Sequence, residues 1–285
     1  MKTIVAFAIS LLAAGDPALA QTPPQTVHFQ SLDGKTELTG YLFLPEMKHN
    51  RIGAVVMLHG RAGPYSSLAQ GRYDATTLAK RHVFWGEVWA RAGYAALLVD
   101  SFSARGYPGG FGMHSYTDRP EAVNEVTVRP LDAYGALRYL RAQHFVDPAR
   151  IALQGWSNGG SAALAAMADV SQATSGVQKG AGFRGAVAFY PACGLHGAFD
   201  ARYLPAAPVR IFSGDNDEEV SAAHCAKLSA ASQAQGGDIA IAIYPGATHD
   251  FDDPGAKRQS VPENAIAAGE AIAAATLFVA RLFMP

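Results

Sequence analysis

Residues 151–160 read Ile151-Ala-Leu-Gln-Gly155-Trp156-Ser157-Asn158-Gly159-Gly160, and this stretch decides the fold. An apolar run, Arg150–Gln154, meets a Gly-x-Ser-x-Gly turn, and an alanine-rich segment, Asn158–Asp169, follows. The pattern predicts a buried strand, a sharp bend and a helix. A bend this tight forces the serine into a strained backbone conformation. Side chains two residues to either side would collide with it, which is why glycine stands at 155 and 159. The strain lifts the Ser157 hydroxyl clear of the sheet. The helix start behind it offers unpaired N–H groups and the positive end of a dipole. Ser157 is therefore a candidate nucleophile.

Outward from the bend, strand and helix patterns alternate. Thr26–Leu32 and Glu37–Leu44, joined around Asp33-Gly34, predict an antiparallel hairpin. Ala54–Leu58 and Tyr94–Val99 are continuous apolar runs, as in strands buried on both faces. Gly185–Tyr190, Val209–Phe212 and Ile239–Tyr244 predict further strands. Thr77–Arg91, Leu131–Gln143, Glu219–Gln233 and Pro262–Leu282 predict helices. The order predicts one α/β domain: a mostly parallel sheet with an N-terminal antiparallel hairpin and helices on both faces. Gly60–Thr76 and Ser101–Arg129 fit neither pattern. Both follow strand C-termini, where ligands sit in open α/β sheets.

A serine hydroxyl needs a base to take its proton. His249, in the segment Tyr244–Phe251 after the last strand, fills that slot better than the other eight histidines. His82 and His114 could line a cleft, but their default reading is polar surface. The third member is a carboxylate after the strand Val209–Phe212, where Ser213-Gly-Asp215-Asn-Asp217-Glu218-Glu219 offers four. Asp217 lies far enough along the loop to turn inward; Asp215 is the alternative. Glu218 and Glu219 are expected to open the next helix, where acids favour the dipole. For the oxyanion, the expected donors are the backbone N–H groups of Asn158 and Arg61, the latter in His59-Gly60-Arg61-Ala62-Gly63. His59 reads as a structural residue whose ring ties that loop down. Asp250, Asp252 and Asp253 read as a solvated acidic loop. No H-E-x-x-H, C-x-x-C or G-x-G-x-x-G pattern in a fitting context calls for a metal or a cofactor.

At these residues the chain resembles the dienelactone hydrolase family of α/β-hydrolases, from about Thr26 to the C-terminus. The likeness rests on the Ser157 bend, Gly214-x-x-Asp217-x-x-Val220, Tyr244–Phe251 and Asp100-Ser101-Phe102 before an arginine-bearing loop. It implies Ser157 as nucleophile, Asp217 as orienting acid and His249 as base, with carboxylic esters or lactones as substrates. The founding members carry cysteine as nucleophile and glutamate in the first oxyanion loop. Serine at 157 and Gly60-Arg61 in the loop depart from that, which shifts the expectation from dienelactone to ester hydrolysis in general. The rival readings are a peptidase of the same superfamily and a non-catalytic binding protein on a hydrolase fold. Arg61, Arg72, Arg105 and Trp156 are candidate substrate contacts, the arginines as clamps for a substrate carboxylate.

Composition bounds the rest. The chain has 285 residues with 23 basic and 24 acidic side chains, a balance that argues against nucleic acid as partner. Lys2, the apolar run Ile4–Ala14 and Ala18-Leu-Ala20 read as a signal peptide over residues 1–20. An apolar run of that length spans about half a bilayer core. No other stretch is expected to cross a membrane, so residues 21–285 read as a soluble, periplasmic or secreted domain. In an oxidising compartment Cys193 and Cys225 are expected to pair, a bridge worth about 3–4 kcal/mol. Oligomeric state leaves no trace in the sequence.

Overall fold

The structure is a computed structural model that describes residues 23–46, 51–168, 182–199 and 202–284. The signal segment and the end of the helix expected at Asp169 lie outside them. Eight strands are described: β1 (Gln25–Gln30), β2 (Glu37–Phe43), β3 (Ile52–Leu58), β4 (Ala95–Asp100), β5 (Val146–Trp156), β6 (Ala186–Phe189), β7 (Val209–Gly214) and β8 (Ile239–Tyr244). They form one sheet in the order β1-β2-β4-β3-β5-β6-β7-β8. The hairpin β1–β2 is antiparallel and joins β4 antiparallel; every pairing from β4 through β3 to β8 is parallel.

Side chains alternate across the pleat and feed two cores. Ala54, Val56, Leu58, Leu97, Val99, Ile151 and Leu153 face one; Val55, Met57, Ala96, Leu98 and Ala152 face the other. On the first lie α2 (Arg129–Arg141), α3 (Asn158–Met167) and α4 (Ala222–Gln233). The second is covered by α1 (Lys80–Arg91) and α6 (Pro262–Leu282). A short helix, α5 (Ala256–Gln259), precedes α6.

Three expectations change. Residues 219–221 do not begin α4, which starts at Ala222. Glu218 and Glu219 are drawn out of helical register by partners described below. α1 begins at Lys80, because Thr77 is spent on the Asp74 turn, its backbone N–H and hydroxyl both donating to the Asp74 carbonyl. Finally, α6 is long and apolar enough to cross a membrane by length and composition alone, against the expectation for that stretch. Its inward stripe, Ala267, Ala268, Ala271, Ala275 and Val279, belongs to the second core. Cys193 and Cys225 are joined by a disulfide between the loop after β6 and α4.

Candidate active site

β5 delivers Ser157 at the sheet's C-terminal edge, with φ 51° and ψ −119°. The flanking glycines are dictated by space. A Cβ on Gly155 would stand 2.0 Å from the Gly159 carbonyl oxygen, and one on Gly159 would stand 2.1 Å from that of Leu58. No side chain fits either gap. The same crowding brings the β3–α1 loop beside the serine: a Cβ on Gly60 would lie 3.6 Å from the Ser157 Cβ. Asn158 is the first residue of α3, so its N–H belongs to the turn that has no partner within the helix.

The loop after β8 brings His249 onto the serine. Nε2 lies 3.1 Å from the Ser157 Oγ, and Nδ1 lies 2.8 Å from Oδ2 of Asp217. The other Asp217 oxygen accepts the N–H groups of Glu219 and Val220, both at 2.8 Å, which fixes the carboxylate. Asp215 points elsewhere and accepts the Gly246 N–H at 2.6 Å. Burial works to push the His249 imidazolium down. The Asp217 hydrogen bond and the charges of Asp250, Asp217 and Glu219 outweigh it, so the ring titrates above the usual histidine value. The Tyr190 ring covers the imidazole, with centroids 4.6 Å apart.

Arg129, fully buried at the start of α2, ties the two expected donor segments together. One guanidinium nitrogen donates to Asn158 Oδ1, and the other donates to the His59 carbonyl at 2.8 Å. His59 is buried and close to neutral: desolvation and the Arg129 charge hold its pKa well below the usual value. Its Nε2 accepts the Ser101 N–H at 3.3 Å, so the ring ties down the loop as expected.

Two clefts meet at Ser157. One, of about 330 Å³, runs over Gly60–Gly63, Tyr65, Ser66 and Arg81 to His249. The other, of about 500 Å³, is lined by His114, Tyr116, Arg119, Glu125, Cys193 and Ser221. Arg61 borders both. The long loops without strand or helix pattern thus supply cleft walls.

Several candidates turn out to have other duties. Arg105, expected as a substrate clamp, is used up: it makes two bonds to Asp132, at 2.8 and 2.9 Å, and reaches Asp33 at 3.3 Å. It locks the β4–α2 loop to the hairpin turn. Trp156, also expected to touch substrate, is fully buried in the second core, and its indole N–H donates to Asp252 at 2.8 Å. Alternation along β5 explains this, since Ala152, Gln154 and Trp156 share a face. Arg72 pairs with Asp74 on the surface. Arg61 grips Glu219 with two bonds, at 2.6 and 2.8 Å. His82 is buried, not surface, with its pKa pushed down to about 4 by desolvation and by Arg81.

The acidic loop is the largest surprise. Asp252 is fully buried and accepts from Trp85 at 2.7 Å, from Trp156 and from the Tyr190 hydroxyl. Arg81, buried in α1, reaches Asp250 at 2.8 Å and Asp253 at 3.1 Å. Three acids crowded after the histidine were visible in the sequence; the arginine that holds them was not.

The family model for the dienelactone hydrolase family matches residues 38–283. Among solved structures, a dienelactone hydrolase-like promiscuous phosphotriesterase from metagenomic libraries superposes with a TM-score of 0.66 at 21% identity, covering 91% of this chain and 98% of that one. Esterase 2 of Thermogutta terrifontis, with propionate bound, gives 0.64 at 18% identity over 92% and 95%. The same esterase phosphorylated by paraoxon gives 0.65 at 18% identity over 92% and 95%.

Proposed function

The chain belongs to the dienelactone hydrolase family and is a carboxylic-ester hydrolase, and from that premise we propose that it works through an acyl-enzyme on Ser157. The observation that carries this reading is one continuous path: Asp217 to His249 at 2.8 Å, and His249 to Ser157 at 3.1 Å. In the proposed cycle, Nε2 of His249 takes the Ser157 proton as Oγ attacks the ester carbonyl. The Arg61 and Asn158 N–H groups hold the oxyanion. The imidazolium then gives its proton to the leaving alcohol. Water, activated by the same ring, releases the acid and frees the serine. Asp217 holds the ring in the tautomer with Nδ1 protonated and stabilises the imidazolium.

The two clefts that meet at Ser157 supply room for the acyl and alcohol parts of an ester. The substrates are carboxylic esters or lactones. Export to the periplasm or outside the cell is part of the same reading. It is supported by the Cys193–Cys225 bridge, a bond that lasts in oxidising compartments, and by the signal-like residues 1–20.

Ser157→Ala is expected to abolish turnover of a p-nitrophenyl ester and labelling by a fluorophosphonate probe, with the unfolding midpoint unchanged. An aminoacyl anilide run in parallel is expected to stay uncleaved. Full ester turnover in the variant would remove Ser157 from the mechanism, and anilide cleavage by the parent would favour a peptidase.

A further inference from the structure

His249 stands in an unusually acidic surrounding. On its own loop are Asp250, Asp252 and Asp253. From the loop after β7 come Asp217, Glu218, whose Oε2 accepts the His249 N–H at 2.9 Å, and Glu219, whose Oε2 lies 3.9 Å from Nε2. Tyr190 covers the ring, Ser157 faces its Nε2, and Lys80 and His82 of α1 share a cleft with it. Left uncompensated, the carboxylates gathered on these two loops would hold the imidazole protonated and spoil it as a base.

The cations are distributed to match. Arg61, from the loop after β3, takes Glu219 at 2.6 Å. Arg258, from α5, takes Glu218 at 2.8 Å. Arg81, from α1, takes Asp250 at 2.8 Å and Asp253 at 3.1 Å, and lies 3.7 Å from Asp252. Among the described residues, Asp217 is the one of the six with no arginine in ion-pair reach. Three elements thus each send one arginine to a different carboxylate or group of them.

We propose that Arg61, Arg81 and Arg258 are positioning residues that partly offset the accessory carboxylates around His249, leaving Asp217, which is hydrogen-bonded to the ring, as the one of the six acids without an arginine partner among the described residues. This rests on the reading of His249 as base and adds to it how that base is kept usable near neutral pH. The state of Asp250 agrees: burial raises its pKa, but Arg81 and His249 prevail and bring it to about 2, so the acid is ionised and its charge needs a partner. In this arrangement the three guanidinium groups act through the carboxylates and not on the substrate. They set how readily the imidazole gives up its proton before each turnover.

The test follows His249 by imidazole NMR across pH, together with the acid limb of kcat/KM. Arg258→Met is expected to raise the His249 midpoint by about half a pH unit, and Glu218→Gln to lower it by about as much. The double variant is expected to return close to the parent. Arg81→Met is expected to give the larger rise. Asp250→Asn, suited to a residue at φ 59°, is expected to lower the midpoint. If Arg81→Met fails to fold, the more exposed Arg258–Glu218 pair still decides. An unchanged or lowered midpoint in Arg258→Met would overturn the proposal. So would shifts of the same sign from arginine and acid variants, because simple loss of structure has no reason to follow charge. NMR midpoints that move as expected while the kcat/KM limb stays fixed would support charge cancellation and remove His249 as base, so the two ideas fail separately.

Discussion

The bend at Gly155–Gly159 and the loop at His249–Asp253 deliver the two side chains proposed to react, and they are held in different ways. The bend is fixed by backbone against backbone: carbonyl oxygens occupy the places where side chains would stand at 155 and 159. Charge enters there only from outside the bend, where buried Arg129 donates to Asn158 Oδ1 and to the His59 carbonyl. The histidine loop is fixed by charge: Arg81 reaches three of its acids, Glu218 receives its N–H, and buried Asp252 gathers two indoles and a phenol. Packing holds an atom in place with no regard to pH. Charge holds it and also sets its proton affinity. A nucleophile needs the first service and a base needs both, which gives a physical reason for the division.

The sharpest way to test that difference is to alter charge without altering shape. Asp217→Asn is expected to lower kcat by about 10⁴-fold with KM little changed, because the amide favours the wrong imidazole tautomer. A loss under tenfold would mean that placement alone suffices. Altering the packing instead, Gly159→Ala is expected to cost about 3 kcal/mol of stability by urea unfolding, since a Cβ has nowhere to go. Its residual activity should show the parent's acid limb. A shifted limb would mean that the bend also tunes the base, and the contrast would fall. The smallest effect is expected from a charged network outside both regions. Arg105→Lys keeps the charge but loses the two-pronged grip on Asp132, for about 1 kcal/mol of stability, with KM for an acidic ester unchanged. A raised KM would bring Arg105 back as a substrate contact.

The acid limb itself has a defined direction. His249 must be neutral to accept a proton, and its pKa lies above the ordinary histidine value. Activity is therefore expected to be lost on acidification at a higher pH than for a free imidazole.

How much was legible from residues alone varies with the kind of force. The glycine spacing at 155 and 159, the continuous apolar runs of β3 and β4 and the order of elements are local patterns, and they foretold the fold; the structure brings the Ser157, Asp217 and His249 side chains together. Trp156 was misjudged although the signal was present: its partners at 152 and 154 face the core, and a strand places all three on one side. Arg105 was misjudged with no signal at all, since nothing near it in sequence marks Asp132 as its partner.

The sequence by itself determined what depends on neighbours in the chain: the bend, the strand faces and the residue types able to do the chemistry. Only the tertiary structure decided which charge meets which. Arg61 and Glu219 are 158 positions apart, and Arg81 and Asp253 are 172 apart. Ion pairing carries no sequence register: any arginine attracts any carboxylate, so the choice is made by the topology that brings β3, β7, α1 and the last loop to one edge of the sheet.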